Sequence, residues 1–132
     1  MTPTARIVGL LSDNADGLED ILVDNICAYM IDEENVDNTH PILVVSEDND
    51  GQRDVGNDTI LSTIKRISIM FYYPINYVGD MDSIEKSVES FLYAHKIRRY
   101  LNTGHVLTPD TKNITNTLKF NYTQNELTEE DN

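Results

Sequence analysis

The pattern of apolar and polar positions is clearest between Thr63 and Tyr122. From Thr63 to Tyr73 the residues alternate, as side chains on a strand do. Ile67, Ile69, Phe71 and Tyr73 share one face, apolar enough for a core, while Arg66, Ser68, Met70 and Tyr72 share a mixed second face. β-Branched and aromatic residues suit such a pleated, half-buried surface. Pro74 lacks the N–H that a ladder needs and stops the strand. A helical pattern follows, with Met81, Ile84, Val88, Phe91, Leu92 and His95 on one stripe. Asp80 or Asp82 is placed to cap it, with Glu85 three after Asp82 in a capping-box arrangement. Glu85, Lys86, Ser87, Glu89 and Ser90 fall on the solvent side. Phe91 is expected to face Ile69 or Phe71 across the helix–sheet contact.

The remaining elements follow from shorter patterns. Ile97 to Leu101 reads as a strand running on towards Leu107, with Gly104 as a bulge or bend. Pro109 to Lys112 is a turn. Thr115 to Thr123 alternates, with Leu118, Phe120 and Tyr122 inward. At the start of the chain, Thr2 and Pro3 suit the first positions of a short helix whose stripe is Ile7, Leu10 and Leu11. Leu18 to Met30 keeps helical spacing, although Ile21 and Val23 also fit one face of a strand. Ile42 to Val45 is short, β-branched and reads as a buried strand. Glu47 to Asp58 reads as a long polar loop, of the kind that is functional or disordered. Within it, Asp48-Asn49-Asp50-Gly51 matches a calcium loop poorly, because Asn57 stands where a bidentate glutamate belongs. These patterns predict an α+β fold: a mostly antiparallel sheet of about five strands, one main helix packed on it and a short N-terminal helix. Residues 1–123 form a single domain, and 124–132 read as an acidic flexible tail.

Charge changes the picture next. The chain of 132 residues carries a formal net charge of -13, unevenly placed. Residues 1–62 hold 14 acidic and two basic side chains, whereas 63–123 hold eight basic and five acidic ones. Such an acidic chain repels phosphate backbones, which argues against sequence-specific nucleic-acid binding. The one cysteine, Cys27, excludes an intrachain disulfide and a cysteine-based zinc cluster. No apolar run approaches membrane-spanning length, and the N-terminus carries no signal-peptide core. The expectation is a soluble protein made in a reducing cytoplasm, with no membrane partner. The search for chemistry returns no phosphate-cradling glycine loop, no H-E-x-x-H and no nucleophile elbow. His40, His95 and His105 are scattered, and the carboxylates sit in polar stretches rather than in a low-dielectric pocket. No catalytic, cofactor or metal residues are assigned, and the reading is a non-enzyme.

Several runs are more specific. Val55-Gly56-Asn57-Asp58, Ile67 to Tyr72, Ile97-Arg98 and, above all, His105-Val106-Leu107-Thr108-Pro109-Asp110-Thr111 followed by Thr117-Leu118-Lys119-Phe120 resemble a family of tail components. Its members come from long-tailed, siphovirus-type bacteriophages of Gram-positive bacteria and are similar to tail terminators. Met1-Thr2-Pro3-Thr4 and Ile21 to Ile26 also resemble the family pattern. There the latter segment is a strand followed by an Ile-Pro turn, and here Cys27 stands in the proline's place. The resemblance shifts Ile21 to Asn25 from helix to strand. It implies a sheet flanked by helices and a virion structural protein made in the host cytoplasm. Its place would be the head–tail junction, in a ring, typically a hexamer. Such a ring caps the tail tube, stops its polymerisation and joins it to the head. The implied partners are further copies of the chain, the major tail tube protein and the head–tail connector, with DNA passing through the channel. The alternatives are a neighbouring connector component of the neck, or an acidic cytosolic binding module.

In a ring, one surface of each subunit meets a different surface of the next. The charge asymmetry suggests that Lys96, Arg98 and Arg99 meet carboxylates of the adjacent subunit. Those carboxylates would come from Asp32, Glu33 and Glu34 or from the stretch carrying Asp48, Asp50, Arg53 and Asp54.

Overall fold

A computed structural model of the chain describes residues 2–31, 37–48, 53–56, 59–109 and 111–125. Helix α1 spans Pro3–Asp13. It starts where expected, because the Thr2 hydroxyl accepts a hydrogen bond from the Ala5 N–H and Pro3 sits in the first turn. Its buried side chains are Thr4, Ile7 and Leu11, with Leu10 only partly covered. Strand β1 is Ile26–Ala28, β2 is Ile42–Glu47, β3 is Arg53–Gly56 and β4 is Thr59–Tyr73. Helix α2 spans Met81–Ala94, followed by β5, Arg98–Asn102, β6, Val106–Leu107, and β7, Ile114–Asn125.

The fold is α+β. Five strands form the continuous path β1-β2-β4-β7-β5, with β3 and β6 appended to β4 and β7. Every pairing is antiparallel except β1 with β2. The register follows the alternation of β4. Ile67, Ile69 and Phe71 oppose Phe120, Leu118 and Asn116 on one side, and Ile69 and Phe71 oppose Val45 and Leu43 on the other. Both helices supply residues to this same face: Ile7 and Leu11 from α1, and Ile84, Val88 and Leu92 from α2. Ile67, Ile69, Phe71, Tyr73 and Phe120 are fully buried there. Asp80 caps α2 by accepting from the Ser83 N–H. The helix ends without a glycine. Lys96 takes a positive φ of 65°, and the Ile97 N–H returns to the Leu92 carbonyl. This closing turn buries Ile97 completely and redirects the chain into β5.

Five expectations are corrected. Ile21 to Asn25 is neither helix nor strand: Val23–Asn25 is a 3₁₀ turn, and the strand begins at Ile26. The buried residues there are Ile21, Asn25 and Ile26, while Leu22 and Val23 are exposed, so the chain uses neither period. The stretch from Glu47 to Asp58 is not one loop. Arg53–Gly56 pairs with Thr59–Thr63 across a register shift, so the core strand begins four residues earlier than the alternation indicated. The strand expected to run to Leu107 is two strands, broken where Gly104 takes a φ of 91°. At the other end β7 continues through Gln124 and Asn125, which pair with Thr63 and Ser62, so the tail begins no earlier than residue 126. Phe91 is only partly buried. It lines a cavity of about 540 Å³ with Leu18 and Ser87, and its ring lies 4.7 Å from that of His95. Residues 126–132 and the Asn49–Gly51 part of the calcium-like run lie outside the described residues.

These assignments move the mutational weight of α2 from Phe91 to Leu92, which is fully buried. Leu92→Ala is expected to cost roughly 2–5 kcal/mol. Lys86→Ala, at an exposed position paired with Asp82, should change stability by less than about 0.5 kcal/mol. Urea melts of both variants check this, and comparable losses would show that the helix face is misassigned.

Candidate interaction surface

A polar cluster lies inside the helix–sheet contact. Glu85 is 4% exposed, not on the solvent side and not in a capping box. Its Oε2 accepts from the Tyr73 hydroxyl at 2.6 Å and lies 2.8 Å from His105 Nε2. Its Oε1 accepts from Asn116 Nδ2 at 2.8 Å. Each partner comes from a different element, so α2, β4, β7 and the segment before β6 are fastened at one carboxylate. Burial, and then the bond to Glu85, pushes the Tyr73 hydroxyl far above its ordinary pKa, so it remains a donor. The arrangement fits a structural fastening, since a buried carboxylate must have its acceptor capacity met. One signal was present in the sequence. Asn116 and Tyr73 occupy core-facing positions of their strands, where an inward polar atom requires a buried partner.

A second cluster fixes the connection between β1 and β2. The buried Asn25 amide donates to Asp37 Oδ2 at 3.0 Å and to the Pro41 carbonyl at 3.3 Å. Asp37 Oδ1 also accepts from the Thr39 backbone and hydroxyl and from the His40 N–H. The bonds from Asn25 and then Thr39 hold the Asp37 carboxyl well below its ordinary value, outweighing the opposing effect of burial.

The expected contact residues are only partly brought together. Lys96 is exposed in the turn after α2. Arg99 is paired within the chain, its Nε 3.1 Å from Glu89 Oε1, and the Arg98 guanidinium lies 5.7 Å from the Tyr93 ring centroid. Asp48 is also occupied. Its Oδ2 accepts from Ser68 at 3.2 Å and from Tyr100 at 3.4 Å, and lies 3.1 Å from Lys119 Nζ. Arg53 and Asp54 lie in β3, opposite Thr63 and Ser62. Asp32, Glu33, Glu34 and Asp50 lie outside the described residues.

Asp48 and its partners stand on the sheet face that neither helix covers. Along that face the polar half carries Arg66, Ser68 and Lys119. The other half is apolar and includes Val44, Met70 and Tyr72. Tyr29, with a φ of 71°, turns the chain back over this half. Tyr29, Met30 and Ile31 then form one wall of a groove of about 510 Å³ whose floor is Val44, Met70 and Tyr72. Thr111 closes its end and hydrogen-bonds the Tyr72 hydroxyl.

Neither a family model nor a curated protein matches the chain. Among the described residues, no group of three or more His, Cys, Asp or Glu side chains could hold a metal ion, and no helix is long and apolar enough to cross a membrane. The surface therefore has to be read from its own chemistry. It offers an apolar groove, a self-paired polar half-face and a corner of partly paired cations.

Two outcomes follow. Glu85→Ala is expected to cost roughly 3 kcal/mol or more, because it leaves Asn116 and the Tyr73 hydroxyl unpaired in the interior. Glu85→Gln, which retains an acceptor, should cost less, and equal losses would show that hydrogen bonding does not hold the cluster. The Asp37 carboxyl is lowered in the folded state, so its stabilisation is complete above its ordinary value of 3.8 and is lost as pH falls through the folded-state value. Melting temperature should drop more steeply below about pH 4, and on towards about pH 2, in the wild type than in Asp37→Asn. Parallel curves would remove Asp37 from the account.

Proposed function

We propose that the chain is a tail terminator of a long-tailed phage: a subunit of a ring that caps the tail tube, stops its polymerisation and joins it to the head. The observation that carries this reading is the resemblance along His105 to Thr111 and Thr117 to Phe120. In the fold Val106 and Leu107 form β6 and Thr117 to Phe120 lie in β7, which are paired neighbours, while Asp110 lies outside the described residues. A single folded unit therefore carries the most specific part of the resemblance. The α+β fold agrees with what the resemblance implies, though fold by itself does not fix function. The reading involves no catalysis and no cofactor. One rim of the ring binds the last tube ring, and the other lacks the surface that would accept another tube subunit. The net charge of -13 suits a channel through which DNA passes without sticking.

The test is direct. Purified protein should appear as rings by negative-stain imaging, with a native mass of several subunits. A stable monomer would instead favour the acidic binding module. Arg98 and Arg99 are each partnered within the chain, but both remain exposed at the edge of β5. Their simultaneous reversal to Glu is expected to slow or block ring formation at low ionic strength, with circular dichroism unchanged. Assembly at the wild-type rate would place that corner away from the subunit contact.

A further inference from the structure

Helix α1 ends against its own electrostatics. A helix C-terminus carries partial negative charge and favours cations. The last turn of α1 has no basic side chain; its final residue is Asp13, and Asp16 follows in the 3₁₀ turn Ala15–Gly17. Asn14 closes the turn by donating to the Leu10 and Leu11 carbonyls, which adds no positive charge. Asp13 and Asp16 are exposed, and neither has a hydrogen bond or ion pair among the described residues. Neighbouring carboxylates are occupied. Glu19 accepts from Ser83, Asp20 accepts from the Tyr77 hydroxyl, Asp82 pairs with Lys86 and Glu89 pairs with Arg99. A charge placed against a local rule without compensation is the kind of conflict that marks a functional surface.

Both aspartates line the cavity of about 540 Å³ beside Phe91. Its apolar lining is Leu18, which is buried, and the partly buried Phe91 ring. Ser87 Oγ accepts from the Glu19 N–H and donates to the Ile84 carbonyl, which holds the cleft in shape. His95 packs on Phe91 with ring centroids 4.7 Å apart but does not line the cleft. We propose that this cleft receives an arginine side chain of a partner protein. Two uncompensated carboxylates at the negative end of a helix set the sign of the charge. The aromatic ring beside them sets its shape. A planar guanidinium stacks on such a ring and forks to carboxylates, while its methylenes cover apolar surface. A lysine ammonium offers neither the plane nor the fork. The arginine comes from a different protein because those of this chain whose side chains are described are already placed. Arg6 lies over Tyr122, Arg66 near Tyr100 and Arg98 near Tyr93, and Arg99 pairs with Glu89. This inference does not rest on the terminator reading.

The experiment titrates the full isotope-labelled chain with N-acetylarginine amide and follows backbone amides by NMR. Salt at about 0.15 M screens diffuse attraction to the acidic surface. Shifts should cluster at residues 13–18 and 87–91. The neutral citrulline analogue should produce none, and the lysine analogue should bind more weakly. Asp13→Asn combined with Asp16→Asn should weaken binding by on the order of tenfold. The melting temperature should not fall, because these charges oppose α1. Phe91→Leu should weaken binding about threefold. Asp24→Asn, at an exposed carboxylate outside the cleft, should leave binding unchanged. Scattered shifts, equal binding of the citrulline analogue, or wild-type affinity in the double variant overturns the proposal. A melting temperature lowered by the double substitution gives the aspartates a structural role and overturns it too. Magnesium chloride that shifts the same amides where arginine shifts none makes this a metal site. Loss of self-association in the double variant, read by sedimentation velocity, makes the occupant a second copy. Either result removes the arginine-bearing partner.

Discussion

Strand β4 is hydrogen-bonded along both edges, and the rest of the molecule depends on that double pairing. β7 pairs with it from Ser62 to Tyr73, and β2 pairs with it from Ile67 to Tyr72. Because side chains alternate, a slip of one residue would place Ile67, Ile69, Phe71 and Tyr73 on the open face and Arg66 and Ser68 under the helices. Three strands in register create the surface on which α1 and α2 bury their stripes. The 15–20 segment adds a second hold on α2, since Ser83 donates to Glu19 Oε1 and Ser87 Oγ accepts from the Glu19 N–H.

The interior is not uniformly apolar. Glu85, Tyr73 and Asn116 form a polar island among leucines and isoleucines, and His105 reaches it from the rim. An apolar cluster of similar volume would tolerate small shifts of α2 along the sheet. A carboxylate with donors on three other elements does not, because each shift leaves a buried donor unpaired. The cluster thereby sets the position of the segment 103–107, which carries the exposed Val106 and Leu107. The Asn25–Asp37 pair has the same effect on the connection into β2. Both clusters convert loops into fixed parts of the surface, and a fixed surface is what repeated assembly requires.

Charge and assembly are linked through the same economy of surface. A strongly acidic chain stays apart from its copies except where local charge is absent or opposite. On the open sheet face, Asp48 pairs with Lys119, and the Arg66 guanidinium lies 5.5 Å from the Tyr100 ring centroid. The cations of the Arg98–Arg99 edge have partners within the chain, Tyr93 and Glu89.

The sequence by itself determined the core strand and its inward face, the cap of α1 with its buried Ile7 and Leu11, the extent of α2 with its buried Ile84, Val88 and Leu92, the buried β2 and the alternation of β7. Each depends on a period that local residues impose, and burial then follows it. The turn from α2 into β5 was also legible, although Lys96 rather than glycine takes the left-handed conformation there. What tertiary structure alone decided has a different cause. The Val23–Asn25 turn exists because the Asn25 amide finds Asp37 and the Pro41 carbonyl, partners at least twelve residues away. β3 exists because an early extension of β4 is there to pair with it; its own residues carry no strand period. Glu85 looked solvated because its helical position borders the stripe, and only the arrival of Asn116 and His105 makes that position an interior one. The groove, likewise, depends on Tyr29 reversing the chain over Val44 and Met70. Local sequence sets periods, whereas long-range partners decide where a polar atom can be buried and which surfaces remain open.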